Sequence, residues 1–132
     1  MKAITLWQPW ASFMALDLKK NETRGWGTDY RGALAIAAAK IIHWDEIPPA
    51  VFQFALTRIG PCRTWSTGKI LCVRELYSTV KNPEVPYDPI EAMLGFYGLG
   101  RVAWKTYLLK VFDEPILAKG KQGLWDWDGK AC

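Results

Sequence analysis

The sequence predicts an α+β domain built around a mostly antiparallel sheet, with helices inserted between the strands. Two observations predict this class. Strand-like segments outnumber helix-like ones, and they do not alternate in the regular strand–helix–strand order of a parallel α/β fold. Glycines stand at strand starts or inside irregular strands, where small barrels place bulges and bends. With 132 residues, half of them hydrophobic, we expect one core and one domain over residues 1–132.

Two strands and two helices are predicted in the first half of the chain. Residues 1–6, MKAITL, predict a short strand. Residues 8–18, QPWASFMALDL, predict a helix because aromatic and apolar side chains recur at helical spacing. The apolar residues 31–39 predict the second strand. A second helix is predicted from near Pro49 to the residue before Gly60.

The second half of the chain is predicted to be richer in strand. Residues 68–80, GKILCVRELYSTV, are the strongest strand candidate of the sequence. A proline-rich loop follows, and then a short helical turn in the segment IEAMLGF. Residues 102–113 predict another strand, and residues 118–128 close the chain with a strand interrupted by glycines. The expected product is a small, curled barrel.

Composition limits the classes of function. Seventeen Lys and Arg against thirteen Asp and Glu give a formal charge of +4, which suits a phosphate-bearing partner. Three widely spaced cysteines form no CxxC pair, and the single histidine, His43, removes most metal-ligand sets. We therefore expect no metal and no cofactor, and a structural role for His43.

The location of the protein is predicted from what the sequence lacks. No apolar run approaches the roughly 18 residues that a membrane helix needs. The first residues lack the apolar core and the cleavage site of a signal peptide. We expect a cytoplasmic protein without a membrane partner.

Tryptophan is unusually frequent, with eight copies in the chain. Most of them are expected to fill the core of a small barrel. One or two are expected to line a slot where a nucleobase stacks, an interaction that contributes about 1–3 kcal/mol. Trp26 is the first candidate because it ends the charged segment 18–26, LKKNETRGW, which forms either a solvated turn or one wall of a site. Trp104 is the second candidate.

Five segments together resemble the ASCH-domain family, whose members have a PUA-like β-barrel. In chain order they are ITLWQPWASFMALDLKKNETRGW, YRGALAIAAAK, GKILCVREL, GRVAWK and FDEPILAKGKQGLWDW. The resemblance covers most of the chain outside residues 43–67 and 81–95. It implies a small PUA-like barrel with a cleft, related to modules that bind RNA or accommodate a single nucleobase. Some similar proteins hydrolyse the acyl amide of N4-acetylcytidine, and others have been associated with RNA cleavage.

The charged segment fits the amidohydrolase branch of that family in two registers. Similar members carry a lysine three residues before a nucleophilic threonine, and an arginine two residues after it. The first register selects Lys20 and Thr23, with the lysine taking the threonine proton for attack on the amide carbon. The second register selects Lys19 and Arg24 and puts Glu22 at the nucleophile position. The arginine and the tryptophan after it favour the second register, and both remain open.

In the second register Glu22 has three candidate roles. It accepts a hydrogen bond from the amino group of a base, acts on water as a general base, or pairs with a neighbouring cation. A further carboxylate is predicted at Glu75, which shares a strand face with Leu71 and Val73 and would thus enter the cleft. There Glu75 serves either in a salt bridge or in protonating a leaving amine.

The family pattern also shows departures in this chain. Gly25 stands where similar members commonly have serine, and Ala37 stands where they have histidine, so two polar contacts are absent. The expected phosphate-facing rim consists of Lys19, Lys20, Arg24, Arg31, Arg101, Lys119 and Lys121, with Gln122 as a reader of a base edge.

Three functional hypotheses follow from the sequence. A binding module would take a base of RNA or a modified nucleoside into the cleft and hold the backbone with the rim cations. An enzyme would use the lysine segment and Glu75 to hydrolyse an amide or phosphodiester bond. An adaptor would present its aromatic cleft to a protein partner, whose identity is unknown.

Overall fold

The computed structural model describes all 132 residues and confirms the α+β class. Six strands form one curled sheet with the shape of a half-barrel. The strands are β1 (Lys2–Leu6), β2 (Asn21–Arg24), β3 (Gly32–Ala38), β4 (Lys69–Lys81), β5 (Val102–Leu117) and β6 (Leu124–Asp126). Between them lie α1 (Trp10–Ala15), α2 (Pro49–Arg58), α3 (Pro89–Met93) and two short 3-10 turns at Trp44–Glu46 and Cys62–Thr64. No helix is long and apolar enough to cross a lipid bilayer.

The sheet is mostly antiparallel, as predicted. Its strand order is β2-β5-β4-β3-β1-β6, and only the β1–β3 pair is parallel. Because β2 and β6 are both edge strands, hydrogen bonds do not close the sheet into a complete barrel. A side chain nevertheless links β2 to β1: Arg24 Nη2 donates a hydrogen bond of 2.9 Å to the carbonyl oxygen of Thr5.

Most predicted elements are confirmed, with differences in length. The helix predicted near Pro49 begins there and ends at Arg58, because proline opens its first turn and Gly60, at φ +117°, follows its end. Strand β5 continues beyond residue 113 to Leu117, whereas the last strand is limited to Leu124–Asp126. The charged segment 18–26, predicted to be a solvated turn or one wall of a site, contains the edge strand β2.

The core occupies both faces of the sheet. The face toward α1 carries the larger side chains, among them Ile4, Leu34 and Trp104, while alanines such as Ala3 and Ala35 occupy the opposite face. Successive residues of a strand point to opposite faces, which explains this division. The indole of Trp104 is completely buried, so it belongs to the core and the prediction that a base stacks on it is wrong.

A β-bulge in β4 changes the face on which Glu75 lies. The pairing of β4 with β5 shifts between Ile70 and Cys72, and Leu71 consequently packs in the same core cluster as Cys72. Beyond the bulge the alternation resumes with Cys72, Arg74 and Leu76 on the α1 face. Glu75 therefore does not share a face with Leu71, contrary to the prediction, because an inserted residue reverses the pattern.

Arg74 occupies the interior position that this bulge creates, with no solvent exposure. Its Nε donates to Thr106 Oγ1 at 2.6 Å, its Nη1 donates to the carbonyl oxygen of Met14 at 2.7 Å, and its Nη2 pairs with Asp17 Oδ1 at 3.0 Å. Thr106 Oγ1 in turn donates to the carbonyl oxygen of Lys20 at 2.6 Å. The guanidinium thus ties the end of α1, strand β5 and the segment before β2 together.

Cys72 gives the fold a measurable sensitivity to alkaline pH. Burial raises the pKa of its thiol to about 12, and the nearby Arg74 opposes that rise. A thiol with a raised pKa in the folded state contributes stability below the ordinary pKa near 9, which is lost as the pH rises toward 12. We expect the free energy of unfolding to fall by up to about 1.4 kcal/mol per pH unit in that range from this group.

Urea denaturation at a series of pH values checks this expectation against Cys72→Ala, which removes the thiol. The difference between the two slopes isolates Cys72 from the lysines and tyrosines that titrate in the same range. Identical slopes for the two proteins would contradict the assignment. In parallel, a thiol reagent should modify exposed Cys132 in the folded protein and Cys72 only after unfolding.

Candidate functional site

A cleft of about 370 Å³ lies where β1 and β2 face each other. The end of β1 contributes Thr5 and Leu6, and β2 contributes Glu22, Thr23 and Arg24. The remaining lining consists of Trp7, Trp10, Glu46, Leu94, Phe96 and Arg101. The cleft therefore combines apolar and aromatic walls with a few charged side chains, which is the general character of small-ligand sites.

A carboxylate held between two cations lies in this cleft. Glu22 Oε1 is 3.4 Å from the ammonium of Lys19, and Glu22 Oε2 is 3.1 Å from Nε of Arg24. The Lys19 side chain is 1% exposed, and its ammonium also donates to the carbonyl oxygen of Asn21. Burial of a charged amine is costly without such partners. Lys19, Glu22 and Arg24 are therefore one charged unit, which we call the β2 triad.

Strand geometry explains why Glu22 and Arg24 act together. They lie two residues apart on an extended strand and so project from the same face of β2. Between them, Thr23 Oγ1 accepts a hydrogen bond of 3.0 Å from the Phe96 amide, and its carbonyl oxygen accepts one of 2.9 Å from Arg101 Nη2. The loop before β5 is thus fastened to β2, and Phe96 and Arg101 form the far wall of the cleft.

Two arginine N–H groups beside the cleft are buried without a hydrogen-bond acceptor. They are the Nε–H groups of Arg24 and Arg101. Arg24 Nε lies within ion-pair distance of Glu22, but its N–H is not aligned for a hydrogen bond. Buried donors are almost always satisfied in folded proteins. Both arginine side chains line the cleft, so these donors lie next to a cavity that a ligand can enter.

Lys20 does not join this group. Its ammonium donates to the carbonyl oxygen of Asp17 at 2.9 Å and is half exposed, so it points away from the cleft. No hydrogen bond joins Lys20 to Thr23. The geometry that the first register needs, a lysine against the Thr23 hydroxyl, is not present, whereas the residues of the second register are in contact.

The start of β2 is held by a glutamate that the sequence analysis did not single out. Glu91 in α3 is 5% exposed, and its two oxygens accept from the amides of Lys20 at 2.8 Å and Asn21 at 3.3 Å. Beside it, burial raises the pKa of Tyr97 to about 12, and the carboxylates of Glu91 and Glu22 add to the rise. The Asn21 amide, which donates to the Tyr97 hydroxyl at 3.4 Å, opposes it.

Two predicted site residues lie away from the cleft. Glu75 pairs across the sheet with Ala33 and Tyr107 and does not line the cavity. Arg31 is exposed, and its guanidinium donates to the carbonyl oxygen of Thr28 at 2.8 Å and to Thr79 Oγ1 at 3.0 Å. The structure therefore does not bring either residue to the β2 triad.

A wide groove adjoins the cleft and contains most of the other predicted ligand-binding residues. It has a volume of about 1330 Å³ and shares Thr5, Trp7 and Arg24 with the cleft, so the two cavities are adjacent. Among its lining are Trp26, Lys40, Lys119, Lys121 and Gln122. No aspartate or glutamate side chain lines the groove. The predicted grouping of residues 119–122 with Arg24 and Trp26 is present in the structure.

Trp26 is partly available to a ligand. Its side chain is 41% exposed, and its ring meets buried Trp104 edge to face with centroids 5.0 Å apart. The guanidinium of Arg24 lies 6.0 Å from the Trp26 ring centroid. Trp104 thus packs against Trp26 on the side of the core. Its Nε1 donates a hydrogen bond of 3.1 Å to the carbonyl oxygen of Trp26.

Several residues that line the cleft or hold its walls were not predicted from the sequence. The sequence patterns that could have identified them differ in strength. Trp7 directly follows the first strand, a position from which an aromatic side chain commonly reaches a cleft, and it lines both cavities. Glu46 and Phe96 lie in segments without a periodic pattern, so nothing local marks them. For Glu91, a proline after Asp88 signals a helix start, but its burial depends on a contact 71 residues away.

Comparison with protein-family models and with curated proteins finds no match to this chain. The fold and the site by themselves define an α+β domain with a curled, mostly antiparallel sheet. Its cleft contains a charged triad and aromatic walls, and lies next to a basic groove.

Proposed function

We propose that this chain is an ASCH-like domain with a PUA-like barrel, and that it receives one base of an RNA or a modified nucleoside in the cleft. The observation that carries the proposal is the polar pattern of the cleft. Glu22 offers a carboxylate acceptor, and the Nε–H of Arg101 offers a buried donor without a partner.

A cytosine edge complements this pattern. Its N4 amino group donates, and its N3 and O2 atoms accept, so one base satisfies both Glu22 and an arginine Nε–H. Leaving a buried donor unsatisfied costs about 1–3 kcal/mol, and a ligand that satisfies it recovers that cost. The apolar wall formed by Trp10, Leu94 and Phe96 suits the base faces. A volume of about 370 Å³ is within the usual range for a small-molecule site.

Uridine is the ligand that best tests whether the cleft prefers a cytosine edge. It has a carbonyl oxygen at position 4, where cytidine has an amino group, and that oxygen would face the Glu22 carboxylate. A site with a fixed polar group discriminates strongly against a ligand that leaves it unpaired. We therefore expect cytidine-type nucleosides to bind more tightly than uridine.

Replacing the carboxylate tests the proposal. Glu22→Gln keeps the shape of the side chain but removes its charge, and its amide can donate to the uridine oxygen. Because a hydrogen bond to a charged group contributes about 1.5–3 kcal/mol, we expect about 10- to 150-fold weaker cytidine binding. Uridine binding should be unchanged or improved. Titration calorimetry with cytidine, N4-acetylcytidine and uridine measures both effects.

Glu75→Gln is the matched control, since it removes one carboxylate outside the cleft. It should leave all three affinities unchanged. If the two variants behave alike, or if no nucleoside binds at millimolar concentration, the base-binding proposal is wrong. Circular dichroism of each variant confirms that the fold is retained.

Hydrolysis of an acyl amide is the second candidate, and the Glu22 carboxylate in the cleft favours it because a carboxylate can act as a general base. In this case Glu22 takes a proton from water, and the water oxygen attacks the acyl carbon. The protonated Glu22 then returns that proton to the leaving nitrogen as the C–N bond breaks, which releases the carboxylic acid and the amine. A turnover assay with N4-acetylcytidine separates the two candidates. Formation of acetate and cytidine establishes an enzyme, and binding without turnover establishes a recognition domain.

A further inference from the structure

We infer that the groove beside the cleft is a track for a single-stranded oligonucleotide, along which flanking bases stack on Trp7 and Trp26 and phosphates meet the 119–121 turn. This inference rests on the proposed base-binding cleft and extends it from one nucleoside to a strand. It assigns a role to a surface that a free nucleoside would leave unused.

The position of the two cavities next to each other is the first argument. Trp7 and Arg24 line both the cleft and the groove, so a ligand that fills the cleft borders the groove directly. The groove, at about 1330 Å³, is more than three times as large as the cleft. A base in the cleft would therefore leave its sugar and phosphates at the groove entrance, and the neighbouring nucleotides would extend into the groove.

The two half-exposed tryptophans of the groove are the second argument. Trp7 is 45% exposed, and its ring is stacked on His43 with centroids 4.0 Å apart and an interplanar angle of 29°. Trp26 is backed by the buried Trp104. Each ring is thus supported from one side and partly open to solvent. Supported aromatic rings that remain open are the stacking platforms of single-strand binding proteins.

Charge is the third argument. Lys40, Lys119 and Lys121 are exposed in the groove with Arg24, and no acidic side chain accompanies them. A groove of one sign attracts a strand of phosphates, while aromatic side chains between the cations provide contacts to the bases. A duplex would hide the base faces from these rings, so a single strand fits better.

The basic turn is held in place before any ligand binds. Thr5 Oγ1 donates to the carbonyl oxygen of Lys121 at 3.0 Å and accepts from Trp125 Nε1 at 3.0 Å. A Cβ atom at Gly120 would come within 3.0 Å of Thr5 Oγ1, so only glycine permits this close approach without a shift. The backbone that carries Lys119 and Lys121 is therefore held in place, which lowers the entropy cost of ordering it on binding.

Fluorescence anisotropy with labelled ligands tests this inference. The probes are cytidine monophosphate, eight-residue oligocytidylate as RNA and as DNA, the same RNA in a duplex, and polyglutamate of similar charge. We expect the single strands to bind at least tenfold more tightly than the mononucleotide and than the duplex. Trp26→Leu should weaken oligonucleotide binding by about 5- to 150-fold, Trp26→Phe by less, and neither should change mononucleotide binding, because Trp26 lines the groove but not the cleft.

Matched controls are available on the surface. Trp44 is 50% exposed and lines neither cavity, so Trp44→Leu should leave binding unchanged. The double variant of Lys119→Gln and Lys121→Gln should lower the salt dependence, d(log K)/d(log[salt]), by about 1.4, at about 0.7 for each phosphate that is no longer neutralised. A control with the same change in net charge, Lys81→Gln with Lys110→Gln, should not.

The outcomes separate the track from the cleft. Equal affinity for mononucleotide and oligonucleotide, with no effect of Trp26→Leu, would overturn the track and leave the base-binding cleft standing. Oligonucleotide binding that depends on Trp26 and the groove lysines but not on Glu22 would support the track and overturn the cleft. Equal binding of polyglutamate, insensitive to Trp26→Leu, would overturn the track in favour of an acidic protein partner. No binding of any probe would overturn both.

Discussion

Arg74→Ala is expected to lower the free energy of unfolding by about 3–5 kcal/mol, the range for creating a buried cavity and breaking buried hydrogen bonds together. The guanidinium is fully buried and is the common partner of Thr106, the Met14 carbonyl and Asp17. Its removal leaves the Met14 carbonyl without this partner and separates α1 from the sheet. Urea denaturation measures the effect.

A second variant divides this effect into packing and hydrogen bonding. Arg74→Met keeps most of the aliphatic volume and removes only the polar group, which leaves Thr106, the Met14 carbonyl and Asp17 without this partner. Asp17 is 45% exposed, so water can solvate its carboxylate. We expect it to be less destabilising than Arg74→Ala by about 1–2 kcal/mol. Arg63→Ala, at an exposed position, should change stability by less than about 0.5 kcal/mol. An effect of Arg74→Ala as small as this control would contradict the role described for the guanidinium.

Lys19→Met and Lys20→Met are expected to differ sharply although the two lysines are neighbours. Lys19→Met removes a buried cation from Glu22 and should cost about 3 kcal/mol, near the lower end for breaking a buried pair, because Arg24 remains as a partner. Lys20→Met removes a half-exposed cation from Asp17 and should cost less than about 1 kcal/mol. Thermal and urea denaturation of both variants measure the difference.

The same pair of variants also distinguishes the two registers of the charged segment. If Lys19 holds Glu22 in position, Lys19→Met should weaken cytidine binding while Lys20→Met leaves it unchanged. A larger loss of binding or of turnover in Lys20→Met would favour the Lys20–Thr23 register instead. Arg63→Ala is again a suitable surface control, since it also removes one positive charge.

Local signals in the sequence were sufficient where an element depends on its own residues. The helix from Pro49 to Arg58 is bracketed by a proline and a glycine, and the first strand is a short apolar segment before a helical pattern. Strand β2 is different, because it has four residues, most of them polar, and exists through its pairing with β5. No periodicity could distinguish such an edge strand from a turn.

The candidate site could be predicted only where it is formed by residues that are close in sequence. Residues close in sequence, such as Glu22 and Arg24, could be grouped from their spacing on an extended segment. Glu75 could not be placed, because one inserted residue in β4 reverses the faces of the residues from Cys72 to Leu76. The exclusion of Lys20 from the cleft could not be foreseen either, since it depends on which of two adjacent lysines reaches the interior.

The pairing of β2 with β5 has a consequence for the order in which the molecule assembles. Arg101, which fastens the cleft wall to Thr23, lies 78 positions farther along the chain. Contacts between distant residues are formed late, since a long loop must close first. During synthesis, the carboxylate of Glu22 would leave the ribosome long before the strand that shelters it. The capacity to bind a ligand should therefore arise in the last folding step, and a shortened chain that ends before β5 should retain none.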